Sequence, residues 1–215
     1  MTRVLITAGP TYEKIDPVRF IGNFSSGKMG FALVDACIDQ GWEVELVLGP
    51  VTIPTQKAEK WAKTGVHVTN VVSAQQMYDV CINLFPSVTM GILCAAVADY
   101  TPRSVSPIKI KRKDDMVLRL KPTKDIAKAL GQMKAEGQKL IGFALETNDE
   151  AQHAKDKLRK KRFDFIVLNS LRDDGAGFRY DTNKITIISD KESIEYPLMT
   201  KTECAEEIVK KLKKI

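Results

Sequence analysis

Ile15-Asp16-Pro17-Val18-Arg19-Phe20-Ile21-Gly22-Asn23-Phe24-Ser25-Ser26-Gly27-Lys28-Met29-Gly30 stands between an apolar run and an amphipathic one, and its composition suits an anion. Upstream, Val4-Leu5-Ile6-Thr7 is apolar and partly β-branched and ends at Ala8-Gly9-Pro10, the pattern of a buried strand entering a turn. Downstream, Met29, Leu33, Ala36 and Cys37 recur at helical spacing. The first backbone N–H groups of a helix have no intrahelical acceptor and lie at the positive end of its dipole, so a phosphate or carboxylate is stabilised there. Arg19 and Asn23, four residues apart, would bring a guanidinium fork and an amide to the same place. The competing reading is an ordinary loop with a serine cap and a glycine for flexibility.

Two familiar phosphate-binding motifs nearly match and fail. Gly22-x-x-x-x-Gly27-Lys28 has the first seven positions of a P-loop, but Met29 occupies the place of the Mg²⁺-binding Ser or Thr. Residues 9–26 are also too long an excursion for a strand that runs straight into such a loop. The Gly-x-Gly-x-x-Gly fingerprint is absent after the first strand. A conventional kinase and a conventional NAD dehydrogenase are both disfavoured.

A chain of 215 residues can bury a full core, and it suits one domain, 1–215, better than two. Its 44% hydrophobic and 28% charged residues are ordinary for a soluble globular protein. No apolar run approaches the roughly 18 residues of a membrane span, and no signal-peptide layout precedes Arg3. Cys37, Cys81, Cys94 and Cys204 form no Cys-x-x-Cys pair, which points to reduced cysteines in a cytoplasmic protein. With that spacing and two histidines, a zinc site is disfavoured. The net charge of +6 suits an anionic small molecule and is too mild to demand nucleic acid. The excess is local, at residues 109–113 and 155–162, without interleaved aromatics.

Strand-like segments at 3–8, 43–48, 66–71, 90–96, 139–145 and 164–169 alternate with helical periodicity at 28–40, 73–84, 124–134, 149–162 and 201–213. Ser73 and Thr123 read as N-caps, Gly41 and Gly137 as C-terminal punctuation. The alternation predicts an α/β fold, a Rossmann-like parallel sheet with helices on both faces and ligands beyond the carboxyl ends of its strands. Residues 100–122, with three prolines, a basic knot and an alternating strand at 116–120, read as a protruding flap. Residues 184–199 read as an antiparallel hairpin turning at Asp190-Lys191.

Three further segments carry chemistry, each with a bland alternative. Ala95-Ala96-Val97-Ala98-Asp99-Tyr100 places small residues at a strand end, where a ligand ring can approach the backbone and Asp99 can accept from a ribose hydroxyl. A tight junction capped by Asp99 explains it equally. In Lys109-Ile110-Lys111-Arg112-Lys113, strand alternation would put three ammonium groups on one face, awaiting an anion or merely solvated. Gly142-Phe143-Ala144-Leu145-Glu146-Thr147 offers Phe143 to flank a base or to fill the core. In the helix that follows, Ala151, Ala154 and Leu158 form the buried stripe, and Lys157 and Lys161 share one flank of it.

In this order, and together with Thr123-Lys124-Asp125-Ile126 and Phe163-Asp164-Phe165-Ile166-Val167-Leu168-Asn169, these segments resemble phosphopantothenate–cysteine ligase, the bacterial CTP-dependent type of coenzyme A biosynthesis. The resemblance covers nearly the whole chain. It implies that the carboxylate of 4′-phosphopantothenate attacks the α-phosphate of CTP, giving an acyl-cytidylate and pyrophosphate. The amine of L-cysteine then displaces CMP. Neither step needs a side-chain nucleophile, so His67 and His153 read as surface residues.

By position, the resemblance assigns Asn23 and Arg19 to the acyl-nucleotide, with Ala96 lining that site, and Lys109 of the flap to the departing pyrophosphate. It assigns Leu93, Cys94, Ala95, Asp99, Lys109, Lys124, Asp125, Ile126, Ala127, Phe143, Lys157 and Lys161 to the nucleotide, and Ser25, Ser26 and Gly27 to its phosphates. It further implies Mg²⁺ bound mainly through phosphates, a cytoplasmic homodimer whose flap crosses the interface, and a flavin-dependent decarboxylase as fusion partner. Lys124 departs from the family pattern, where proline often precedes Asp-Ile. A sheet-based oxidoreductase and a non-catalytic polyanion binder are the competing classes.

Overall fold

The computed structural model describes residues 2–112, 115–146, 150–170 and 180–215. Eight strands form the main sheet: β1 (Arg3–Ala8), β2 (Glu43–Leu48), β3 (Val66–Asn70), β4 (Met90–Leu93), β5 (Lys139–Glu146), β6 (Phe165–Ser170), β7 (Ile185–Ile188) and β8 (Ser193–Glu195). Their spatial order is β8-β7-β6-β5-β4-β1-β2-β3, with β1 through β6 mutually parallel and β7 and β8 antiparallel. The parallel part is thus the 3-2-1-4-5-6 order of a doubly wound fold, whose strand order reverses between β1 and β4.

Six helices cover the sheet: α1 (Lys28–Ile38), α2 (Thr55–Trp61), α3 (Ala74–Leu84), α4 (Ile126–Met133), α5 (Glu150–Lys160) and α6 (Lys201–Leu212). Alternation along β1 decides what each face buries. Val4, Ile6 and Ala8 join the core beneath α1, α2 and α6, whereas Leu5 joins the core beneath α3, α4 and α5. Gly30 lets α1 lie close on β1, because a Cβ there would stand 2.3 Å from the Ala8 Cβ.

The observed elements match the expected alternation with local differences. The strand expected over 90–96 stops at Leu93. Residues 94–96 leave the ladder but are stitched to the exit of β1 by Cys94 N–H to the Thr7 carbonyl (3.2 Å) and Ala96 N–H to the Gly9 carbonyl (2.9 Å). Ser73 caps α3 with a full capping box closed by Gln76. Thr123 does not cap α4. Asp125 does, accepting from Lys128 N–H at 2.9 Å, while the Thr123 hydroxyl donates to the Ala98 carbonyl at 2.7 Å.

Residues 116–120 form no alternating strand. Instead Leu120–Pro122 pairs antiparallel with Tyr100–Pro102 at the flap's root, and Lys109 to Arg112 carry no ladder. Lys113, Thr147 and the first residue of the helix expected over 149–162 lie outside the described residues. The long excursion after β1 is itself a hairpin, Tyr12–Lys14 against Phe20–Gly22, with Tyr12 stacked on Phe20 at 3.8 Å. Among the described residues no helix is long and apolar enough to cross a membrane.

Widening the α1–β1 contact should be felt throughout the sheet. Gly30→Val is expected to cost about 1–3 kcal/mol through overpacking, read as a lower urea midpoint with an unchanged slope.

Candidate active site at the carboxyl edge of the sheet

A cleft of about 600 Å³ opens where β1, β4, β5 and β6 end, over the point at which the strand order reverses. α1 points its N-terminus at this cleft. Gly27 is the N-cap at φ +75°, a conformation that suits glycine, and no side chain caps the helix. That removes the simple serine-cap reading: Ser25 Oγ receives a long 3.4 Å bond from Gly27 N–H instead. The first amides of α1 therefore face a cleft that Ser25, Ser26 and Gly27 line.

Across the β1–β4 gap, Asn23 donates its side-chain N–H to the Ala96 carbonyl at 3.0 Å. Ala95 N–H donates to the Thr7 hydroxyl at 3.2 Å, and Ala98 N–H to the Thr11 hydroxyl at 3.0 Å. These bonds hold the small-residue segment open as one wall, with Leu93, Cys94 and Asp99 on the same side. Phe143 of β5 lines the opposite wall and packs on its inner side against the core beneath α1.

Lys157, Lys161, Lys124, Asp125, Ile126 and Ala127 close the rim above β5. The Lys161 ammonium is paired with the Asp125 carboxylate. Burial raises the Asp125 carboxyl, but Lys161 and the Lys128 amide outweigh burial and leave its pKa below the ordinary value. The Lys124 ammonium lies 4.6 Å from the Tyr78 ring centre, which places a cation on an aromatic face.

The structure thus brings together every residue singled out for this site except two. Arg19 and Lys109 do not line the cleft of their own chain. The Arg19 guanidinium is taken up by Asp16 and by the Ile110 carbonyl (2.8 Å), and Lys109 is exposed on the flap. His67 and His153 are both exposed and outside the cleft.

Sequence reasoning missed the end of the cleft beneath α6. Asn169 and Asn183 pair there by their amides at 3.0 Å, and Lys201 donates to the Tyr180 carbonyl. Lys201 is 7% exposed; burial, then the neighbouring Lys28 charge, lower its pKa against the opposing pull of Asp181. Lys28 itself pairs with Asp181 at 2.6 Å. With Lys28, Lys124, Lys157, Lys161 and Lys201 against Asp99 and Asp125, the lining is cationic. Among the described residues, no group of three or more His, Cys, Asp or Glu side chains is placed to hold a metal.

A doubly wound sheet with an uncapped helix start, an amide wall and a lysine rim at its switch point has the layout expected of an α/β domain that takes an anionic ligand at its carboxyl edge. The family profile for the DNA/pantothenate metabolism flavoprotein C-terminal domain matches residues 1–215, and the chain belongs to that family. It is 43% identical over 211 residues to the coenzyme A biosynthesis bifunctional protein CoaBC of Bacillus subtilis, covering 97% of this chain and 50% of that one. It is 50% identical over 212 residues to a cysteine/cysteine sulfinic acid decarboxylase of an unknown prokaryotic organism, covering 98% of this chain and 57% of that protein. The chain therefore spans about half the length of these relatives. The crystal structure of the C-terminal domain of a coenzyme A biosynthesis bifunctional protein CoaBC superposes with a TM-score of 0.79 at 43% identity, over 98% of this chain and 93% of that one. The family agrees with the resemblance carried by the sequence motifs.

The thiol at the cleft wall should be inert. Burial pushes the pKa of Cys94 up to about 12, as it does for Cys37, Cys81 and Cys204. Iodoacetamide at about pH 8 is expected to label the native protein very slowly and all four thiols after unfolding in urea, as counted by mass spectrometry.

Proposed function

We propose that this domain joins 4′-phosphopantothenate to L-cysteine at the expense of CTP, by way of an acyl-cytidylate. The observation that carries the reading is the convergence at the switch point. The α1 amides, the Asn23–Ala96 wall, Phe143, Lys157 of α5 and Lys161 just past its end all face one volume. In this reading the base stacks beside Phe143, the ribose hydroxyls donate to Asp99, and the phosphates lie between the α1 N-terminus and Lys157 and Lys161.

Two carboxylic-acid chemistries then follow without a protein nucleophile. The substrate carboxylate oxygen bonds to the α-phosphorus as the bond to pyrophosphate breaks. The cysteine amine next bonds to the acyl carbon, CMP departs, and the amine loses a proton. The chain's contribution is alignment and charge neutralisation. Asn23, fixed to the Ala96 carbonyl, presents its remaining amide groups to the acyl-nucleotide. Lys109 steadies the charge that develops on pyrophosphate. Because no three carboxylate, imidazole or thiol groups gather here among the described residues, Mg²⁺ would be carried in by the triphosphate and would offset phosphate charge.

Lys109 lies outside the cleft of its own chain, and the hairpin and flap expose Val18 (60%), Phe20 (49%), Tyr100 (55%) and Ile108 (73%). A homodimer that covers these apolar groups and carries Lys109 to the partner's cleft accounts for both features. A flavin-dependent decarboxylase acting on the product is the fitting neighbour in the reaction sequence, given the length of the relatives.

Incubation with 4′-phosphopantothenate, cysteine, Mg²⁺ and CTP is expected to release CMP and pyrophosphate in equal amounts, with ATP much poorer. Absence of both products refutes the ligase. Carbon dioxide from cysteine or its sulfinate, without CMP, would favour decarboxylation instead. Asn23→Asp should leave nucleotide affinity intact yet slow amide formation by roughly 10²-fold, so that acyl-cytidylate accumulates on quench. A normal amide yield from this variant removes Asn23 from the chemistry.

A further inference from the structure

Asp16 is a carboxylate with no assigned task, and its side chain is fully buried although it sits in a surface turn. Its Oδ1 accepts from Val18 N–H and Arg19 N–H, both at 2.8 Å. Its Oδ2 accepts from the Arg19 guanidinium, with Nε at 3.0 Å, and from Ile110 N–H at 3.1 Å. Arg19 completes the ring by donating to the Ile110 carbonyl at 2.8 Å. Both backbone polar groups of one flap residue are therefore held by a single ion pair some ninety positions away in sequence.

The hold is mechanically grounded. Asp16 belongs to the turn of the 12–22 hairpin, whose Glu13 carboxylate receives Ala74 N–H at the start of α3 (2.7 Å) and whose Tyr12 N–H donates to the Val72 carbonyl (2.7 Å). A second tie, Ser106 N–H to the Ile15 carbonyl at 2.9 Å, grips the flap a few residues earlier. The Arg19 guanidinium holds the Asp16 carboxyl well below the ordinary carboxylate range, against the cost of burial and with help from the three amides. The clamp is therefore ionised and closed at neutral pH.

The segment that Asp16 holds has no ladder of its own and carries Lys109, Lys111 and Arg112, all exposed. Neighbouring cations in such a segment repel one another and spread over many arrangements. Holding one residue at both its N–H and its C=O fixes the peptide units on either side of it and removes that freedom at Ile110, the residue next to Lys109. An error of one ångström in the placement of a catalytic group costs on the order of 10² in rate.

We propose that Asp16 is a positioning residue: with Arg19 it clamps Ile110 so that Lys109 leaves the flap in the direction the ligation requires. This rests on the ligase reading above, and it gives Arg19 a task away from the cleft of its own chain.

The test is Asp16→Asn, read in two ways. Hydrogen exchange should show the Ile110 amide at least tenfold faster than in the parent, with the β1 amides unchanged. In single-turnover assays, pyrophosphate release should fall at least tenfold while the dissociation constant for CTP stays within twofold. Placed in a Lys109→Gln background, Asp16→Asn should add less than a further twofold loss. Unchanged Ile110 exchange overturns the clamp. A loss that multiplies with that of Lys109→Gln, or one that appears in CTP affinity alone, overturns the positioning role. If the parent releases no pyrophosphate, the ligase reading falls and the positioning role with it, while the exchange measurement still judges the clamp. Should Asp16→Asn not fold, Ile110→Pro deletes the N–H that Asp16 receives and takes its place in the pyrophosphate assays, with hydrogen exchange then read at the Lys111 amide, next along the clamped segment.

Discussion

The close approach of α1 to β1 governs the rest of the molecule. Because Gly30 presents no Cβ to Ala8, the helix can lie directly along the central strand. Its N-terminus is then delivered to the carboxyl edge of the sheet. A side chain at that position would lift the helix, and the amides of its first turn would miss the gap between β1 and β4. That gap exists because the chain crosses to one face after β1 and to the other before β4, so the two strand exits carry their connections apart. Everything assigned to the cleft is hung from these two facts.

The electrostatics of the cleft follow from segments far apart in sequence. Lys28 begins α1, Lys157 lies in the last turn of α5 and Lys161 just past it, and Lys201 begins α6. Lys28 and Lys161 have a counter-ion in place, and Lys201 has a carbonyl. The result is a positive lining built from held rather than wandering side chains, on a scaffold whose interior is conventionally apolar. Chemistry that depends on alignment and charge, with no covalent attachment to the protein, needs a lining of this kind.

Much of this was legible in the chain. The sheet strands stand out by apolar runs and the packed helices by period, because each buries one stripe against the core. α2 did not stand out. Thr55-Gln56-Lys57-Ala58-Glu59-Lys60-Trp61 buries Trp61 alone and is held instead by Asp35, which accepts the Trp61 indole N–H at 2.8 Å and pairs with Lys57. One buried anchor, Trp61 edge-on against Phe31 of α1 at 5.5 Å, sets no period, so the sequence pattern does not reveal this helix. Threonine caps well and Thr123 reads as the cap, yet Asp125 lies two residues on, starts the helix later and accepts from Lys128 N–H with a charged oxygen. The N-terminal loop and the rim lysines were readable from their donors. Lys201, Asn183 and Asn169 were not, since a buried lysine and two amides look like surface residues until topology brings β6, α6 and the 180–183 segment together. From sequence Arg19 reads as a donor to the cleft, and only the fold shows its fork turned toward Asp16 and Ile110.

The Asp125–Lys161 pair has one more consequence. Asp125 neutralises Lys161 and keeps its ammonium at the rim. An arriving ligand does not meet a bare cation; it must outcompete a carboxylate that is already tethered beside it. Small diffusible anions such as chloride or bicarbonate have only charge to offer, and an exchange of one counter-ion for another leaves them little net gain. A ligand that also stacks a ring and fills the α1 amides gains at several contacts at once. In the ligase reading proposed above, the pair would act as a threshold that favours a ligand with several points of contact over a small anion.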